Sequence, residues 1–441
     1  MELSSSYLPV LSAVKEADPV RVYGKVTKVV GLLIESTGPA SSVGDACKLE
    51  KNGVHVASAE VVGFSGDKTL LMPLGQVEGI HPGLSVVSTG KPLRVAVGDD
   101  MLGRVLDGLG KPIDSSKGIH HEEKRSTFSD VPNPLKRGRI KKQLITGISA
   151  IDSLLAVGKG QRMGIFSGSG VGKSVLLGMI ARNCEADVNV IALIGERGRE
   201  VREFIERDLG EEGLKRSVVV VATSDQPALI RIKGSMIAAT IAEYFRDQGK
   251  DVLFMCDSIT RLSTAQREVG VATGEPPATR GYTPSVFSML PSYLERAGTS
   301  ETGSITGFFN VLVEGGDMDE PIADAARSIL DGHIVLSRKL AGRGHYPAIE
   351  ITSSISRCMN DVVSPGHRDL AVSIKELISA YEENEDLIQI GAYAAGSNPR
   401  VDQAVAAKSK LDSFLKQNQK EKRDLSQSLD YLNKLYQETQ S

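Results

Sequence analysis

The stretch GIFSGSGVGKSVLLGMI, residues 164–180, carries the clearest chemistry in the chain. An apolar run enters a glycine-rich turn and leaves through apolar positions at helical spacing, the strand–turn–helix setting of a phosphate loop. In that setting successive backbone N–H groups point at phosphate oxygens, and the helix N-terminus adds partial positive charge. The cradle comprises Gly168, Ser169, Gly170, Val171, Gly172, Lys173 and Ser174, with Val175 just beyond. Lys173 is read as reaching the β- and γ-phosphates, and the Ser174 hydroxyl as a ligand for Mg²⁺. The strict pattern G-x-x-x-x-G-K-[ST] has glycine where this chain has Ser167. Serine is small, and Gly168, Gly170 and Gly172 remain where backbone must approach the ligand closely.

A triphosphate's magnesium calls for a carboxylate at the end of another buried strand. DVLFMCD, residues 251–257, ends in Asp257, which suits that role. An aspartate ending a strand also serves as a helix N-cap, so only its pairing with the cradle singles it out. Hydrolysis further needs a group that orients and polarises water. NVIALIGERGRE closes a strand-type run with Glu196 and then Arg197. Alone, Gly-Glu-Arg is also an ion-paired surface turn. Its interest is that it ends another strand of the same sheet, where ligands gather in parallel α/β folds.

These residues need a scaffold. From Gln161 to about Ile355, apolar runs such as RMGIF, VNVIALIG, RSVVVVAT, DVLFMCD, ITGFFNVLV and HIVLSR alternate with helical patterns. That alternation predicts a mostly parallel sheet covered on both faces. PALIRIKGSMIAATIAEYFRDQG predicts a helix with Pro227 near its start. Val20 to about Val95 reads as short β-type runs broken by glycine, LRVAV the last of them, hence a small barrel or sandwich. Residues 1–20 read as a short amphipathic helix, and 114–142, with Pro132, Pro134 and KRGRIKK, as a solvated connector. After about Ser364 the chain reads helical, its tail a helix or helix pair. The expected divisions are 1–20, 21–95, 96–363 and 364–441.

Composition narrows the function classes. The net charge of −3 disfavours a globally basic nucleic-acid binder. Residues 1–95 hold only Tyr7, Tyr23 and Phe64 as aromatics and balance nine Lys+Arg with nine Asp+Glu, so an RNA-stacking barrel is disfavoured too. The four cysteines (Cys47, Cys184, Cys256, Cys358) form no C-x-x-C, which offers no zinc site and fits a reducing compartment. Neither a signal peptide nor an apolar run near the roughly 20 residues of a membrane span is read, so a cytoplasmic protein is expected.

Taken together, GSGVGKS, LIGERGREVREFIE, FMCDSITR and HYPAIEITSSISR resemble the catalytic subunit family of rotary ATPases, and more closely the type III protein-export ATPases. VYGKVTKVVGLLIESTGPASSVGD, GRVLDGLGKPID, DLIQIGAY and GSNPRVDQA extend the resemblance over nearly the whole chain, particularly to the flagellar member. The resemblance implies a β-barrel, a RecA-like ATPase domain and a helical C-terminal domain, in a homohexameric ring with ATP and Mg²⁺ at its interfaces. It makes Glu196 the water-activating carboxylate and Arg197 its neighbour in the site. Arg357, ending SSISR, matches the arginine finger reaching a neighbour's nucleotide, and Tyr346, in HYPA, the aromatic against adenine. Glu350 stands in PAIE where rotary subunits usually show Asp or Asn.

In rotary ATPases the subunit that binds without hydrolysing typically has Gln where this chain has Glu196. A ring of identical chains carrying Lys173, Asp257, Glu196 and Arg357 completes every site. The expected function is therefore an ATPase energising flagellar protein export. The alternatives are a virulence injectisome ATPase, a structural nucleotide-binding ring subunit and an RNA translocase, the last disfavoured by the barrel's composition. The resemblance further implies a regulator docking on residues 1–20, a coiled-coil stalk in the ring, chaperone–substrate complexes, export-gate membrane proteins, and peripheral association with the inner face of the cell membrane.

Overall fold

The computed structural model describes residues 22–440 apart from 115–117, 120–122 and 130. The helix expected over residues 1–20 thus lies outside the described residues. The chain forms two compact units.

The first holds six antiparallel strands: β1 (Tyr23–Val30), β2 (Leu33–Thr37), β3 (Asp45–Lys51), β4 (Val54–Ser65), β5 (Lys68–Pro73) and β6 (Ser85–Pro92). They close into a barrel in the order β1-β2-β5-β4-β3-β6. Period-two alternation turns Val26, Ile34, Leu49, Val61, Leu71 and Val86 inward, each at most 2% exposed. Gly31, at φ 58°, makes the β1–β2 turn, a backbone conformation that favours glycine. Closure leaves no unpaired edge. The run LRVAV is not part of this barrel. Arg94–Val97 pairs instead with Glu123–Ser126 in a separate two-stranded ribbon.

The second unit is built on a nine-stranded sheet. Its strands are β7 (Val105–Asp107), β8 (Arg162–Ser167), β9 (Val188–Ile194), β10 (Ser217–Ala222), β11 (Asp251–Asp257), β12 (Gly298–Thr299), β13 (Ser304–Leu312), β14 (Gly332–Leu336) and β15 (Ile349–Ser356). The order is β15-β14-β8-β13-β11-β9-β10-β7, with β12 beside β13. All pairs are parallel except β12–β13 and β14–β15. Every residue of β9 and β10 is buried, as a strand covered on both faces requires. Among the helices that follow strands are α1 (Lys173–Asn183), α2 (Gly198–Glu203), α3 (Ala228–Asp247) and α4 (Ile259–Ala272). Pro227 is the N-cap of α3.

Beyond the sheet, α5 (Pro365–Gln389), α6 (Pro399–Leu415) and α7 (Leu425–Gln440) pack on one another. Each of the first two opens with proline at N1, and with a side-chain cap, Ser364 accepting from the His367 N–H and Asn398 from that of Arg400. The tail is a helix pair, broken between Leu415 and Leu425. The basic tract 136–142 is not simply a solvated connector. The half-buried Arg137 donates to the carbonyl oxygen of Ala297 at 3.0 Å and ion-pairs with Glu295 at 3.2 Å.

Candidate active site

Parallel packing brings the carboxyl ends of β8, β9, β11 and β13 to one side of the sheet, and the chemistry-bearing residues follow from those ends. The phosphate loop leaves β8 at Ser167 and enters α1 at Lys173. Gly170 (φ 77°) and Gly172 (φ 85°) hold left-handed conformations that expose the loop's N–H groups. Gly168 lies close under the Arg338 side chain, where a Cβ would come within 2.7 Å of its guanidinium. Ser167 needs no glycine conformation. It is the last residue of a regular strand, and its buried hydroxyl donates to the Asn310 Oδ1 at 3.3 Å. Asn310 in turn donates to the Asp257 Oδ1 at 2.7 Å. The departure from the strict glycine pattern therefore adds a polar link toward Asp257.

Lys173 Nζ lies 2.8 Å from the Asp257 Oδ1 and 3.4 Å from the Glu196 Oε1. Burial alone would lower its pKa, but the two carboxylates outweigh burial and hold it above its ordinary value. Burial, then the nearby Asp257 charge, push Glu196 up to about 7, against the pull of Lys173 and Arg261. A hydrogen bond with Glu196 holds the Glu200 carboxyl below its ordinary range. Arg261, on α4, donates to the Gly195 carbonyl at 2.6 Å and lies 3.3 Å from the Glu196 Oε1. A carboxyl that titrates near neutrality, in reach of a lysine and an arginine, has the character of a general base.

Beside the loop opens a cavity of about 500 Å³, lined by Gly170, Gly172, Val175, Leu176, Met179, Tyr346, Pro347 and residues 417–419. The Tyr346 ring lies against Gly172, where a Cβ would meet it at 3.1 Å. An apolar pocket with one aromatic face, next to a phosphate cradle, fits a nucleobase. Gln417 ties this wall to the C-terminal helices. Its N–H donates to the Tyr346 carbonyl at 2.9 Å, while its buried side chain accepts from the Ser149 N–H and donates to the Gly147 carbonyl.

Lys173, Asp257, Glu196 and Tyr346 are thus brought around one loop, with Ser174 at the first turn of α1. Two residues are not. Arg197 is exposed and pairs with Glu200 at 3.1 Å, one turn along α2. Arg357 follows β15, whose Ser356 pairs with Gly332, while β14 continues to Leu336 beside Ser167. Arg357 therefore sits at the opposite end of the sheet from its own phosphate loop, and its N–H donates to the Asp331 carbonyl. Glu350 lies on β15, where burial and Glu382 raise its pKa, outside the Lys173 cluster.

Sequence reasoning assigned no role to Arg261, Asn310 or Gln417. Asn310 had a readable signal, a lone amide inside the apolar run ITGFFNVLV. Arg261 stood one helical turn past Asp257 in FMCDSITR. Gln417 had none, because the Ser149 N–H and Gly147 carbonyl its side chain meets are some 270 residues away.

The β-barrel domain of the ATP synthase alpha/beta family matches residues 26–90, and the nucleotide-binding domain of that family residues 147–356. A type III secretion EscN ATPase C-terminal domain matches residues 363–434. The flagellum-specific ATP synthase of Bacillus subtilis (strain 168) is 54% identical over 430 residues, covering 96% of this chain and 98% of that protein. The assembled ATPase EscN from the enteropathogenic E. coli type III secretion system superposes with a TM-score of 0.89 at 45% identity, over 94% of this chain and 100% of that one. EscN in complex with its central stalk EscO superposes at 0.87 with 44% identity, over the same shares.

Proposed function

The chain belongs to the ATP synthase alpha/beta family, in its flagellum-specific and type III secretion branch, and from that premise we propose that it hydrolyses ATP to drive flagellar protein export. The observation that carries the hydrolytic reading is Glu196, a carboxyl near neutrality set 3.4 Å from the phosphate-loop lysine. A noncatalytic ring subunit has no need of an ionisable group there.

The residues fit magnesium. No cluster of three or more His, Cys, Asp or Glu suited to a metal occurs among the described residues. Mg²⁺ does not require one, since it binds through one or two carboxylates together with substrate phosphates and water. Ser174 and Asp257 are the two side chains that would hold it. Bound there, the ion would neutralise charge developing on the transferring phosphoryl group. Lys173, now on Asp257, swings to the β- and γ-phosphates when ATP arrives. Glu196 accepts the proton of the attacking water, and Arg261 steadies the carboxylate that does so.

Arg357 acts in trans in this reading. The six residues of β8 span the sheet from one end to the other, five steps or roughly 17 Å at about 3.3 Å per step, so Arg357 cannot serve its own site. A homohexameric ring supplies the neighbour, and a coiled-coil stalk in its pore is the partner that EscO is to EscN. A regulator docking on residues 1–20, chaperone–substrate complexes, export-gate proteins and a peripheral membrane location complete the proposal. No helix among the described residues is long and apolar enough to cross a membrane.

The test has two parts. Purified chain should release phosphate from ATP only with Mg²⁺, and its Glu196→Gln variant should not. Deleting the gene should abolish export of flagellar subunits. Loss of injectisome secretion with intact flagella would instead favour the virulence reading, which the EscN likeness motivates.

A further inference from the structure

His345 precedes Tyr346, and its surroundings are unusual for an imidazole. It is 5% exposed, and its Nε2 has no hydrogen-bond partner. It lines a small, partly open cavity of about 50 Å³ between the sheet and the C-terminal helices, whose walls include Leu340, Leu377, Leu411 and Leu415 together with the charged Lys408 and Asp412. Its backbone is fixed, the His345 N–H donating to the Leu340 carbonyl at 3.0 Å, one residue before the Gln417–Tyr346 bond. An unpartnered buried polar group carries a desolvation cost and persists where the position itself is needed.

From this geometry we infer that His345 is a positioning residue for the nucleotide's base: its neutral ring, wedged among the C-terminal helices, holds Tyr346 against Gly172, and protonation in acid releases that wall. The inference rests on the reading of the adjacent cleft as the ATP site.

The charged groups around the ring oppose protonation without forbidding it. From α6 and its end, Lys408, Asp412 and Lys416 face it. Lys408 is paired with Asp412 and lies 5.0 Å over the Tyr381 ring. From α5 come Tyr381 and Glu382, the latter accepting from the Thr352 hydroxyl at 2.7 Å. Lys339 and Arg343, flanking Leu340, are both taken up by Glu385, and Glu350 is the charged residue of β15. Burial, more than Lys416 and Lys408, holds the His345 pKa below its ordinary 6.5, with Asp412 pulling the other way. The sign follows: an imidazole whose native pKa is lowered contributes stability fully above about 6.5, and that contribution is lost as pH falls from there toward the native value. Imidazolium buried among the leucines of this cavity, where Asp412 is already taken up by Lys408, either leaves or drags its neighbours, and the neighbour along the chain is Tyr346.

The experiment measures equilibrium binding of ATP and of inorganic tripolyphosphate to full-length wild type, His345→Phe and His345→Gln between pH 7.5 and 5.5. Tripolyphosphate has the same chain of three phosphates but no base, and the variants supply the baseline for its different ionisation. For wild type, ATP should lose about tenfold more affinity than tripolyphosphate on acidification, within the range for losing one base–aromatic stack. Both variants, which cannot protonate at position 345, should lack that extra tenfold change in the ATP-to-tripolyphosphate ratio. A wild-type ratio that does not change with pH overturns the inference even if neither variant folds. So does a variant that reproduces the wild-type change. Wild type that binds tripolyphosphate but never ATP more tightly overturns the nucleotide reading itself, along with this one.

Discussion

Glu196 is where binding and turnover part company. Glu196→Gln keeps the shape and removes the carboxylate proposed as the base. ATP affinity should stay within a few-fold of wild type while hydrolysis falls by roughly 10²-fold or more, the scale of a lost general base. Phosphate release and nucleotide binding measured on the same preparation check this. Its raised pKa also fixes the pH dependence. A base works only when ionised, so kcat/KM should climb as pH rises through about 7 and level off above it. The Glu196→Gln variant should lack that limb. Lys173→Ala touches the other half of the problem. It removes the cation that Asp257 and Glu196 share, and ATP affinity should weaken by about tenfold to a hundredfold, as for a lost hydrogen bond to a charged group. Calorimetric titration with ATP distinguishes this from a purely catalytic loss.

At the scale of elements, strand ends and helix starts were legible in the sequence because their signals are local. Continuous apolar runs gave β8 to β11, and Gly-Lys-Ser placed the first turn of α1. What could not be read is what depends on distant packing. LRVAV alternates like a barrel strand, yet Arg94–Val97 finds its partner at Glu123–Ser126. The missing glycine at 167 could be excused by size alone. Only the sheet order shows that Ser167 ends beside β13, where Asn310 waits. Gln417 is the extreme case, a loop amide satisfying a helix that begins at Ser149. Gln417→Ala should leave the buried Ser149 N–H unpartnered, costing about 1–3 kcal/mol, and leave the Gly147 carbonyl only its long 3.4 Å bond from the Arg423 N–H. The Tyr346 link, made by the Gln417 backbone, survives the change. A urea midpoint that drops while ATP affinity at pH 7.5 holds steady would bear out that division of labour. A drop in affinity alone would assign the side chain to the base instead.

For the whole molecule the deciding feature is that Arg357 stands at the far end of the sheet from its own Lys173. If the finger works across a boundary between chains, specific activity should rise with protein concentration. Arg357→Ala should bind ATP nearly normally and hydrolyse it on the order of 10³-fold more slowly. Mixing Glu196→Gln with Arg357→Ala should restore activity that neither has alone, in proportion to interfaces pairing an intact Glu196 with an intact Arg357. Light scattering that shows association, with wild-type turnover in Arg357→Ala, would return Arg357 to an ordinary exposed arginine. The same placement bears on inheritance. If the finger acts in trans, a defect at Lys173 harms the molecule that carries it, whereas a defect at Arg357 leaves its bearer sound and disables the one next door. In a cell expressing both alleles, the second kind of lesion reaches beyond its own gene product: each Arg357-mutant chain silences one site on a normal neighbour, and motility should fall with the fraction of interfaces so broken rather than with the amount of normal protein alone.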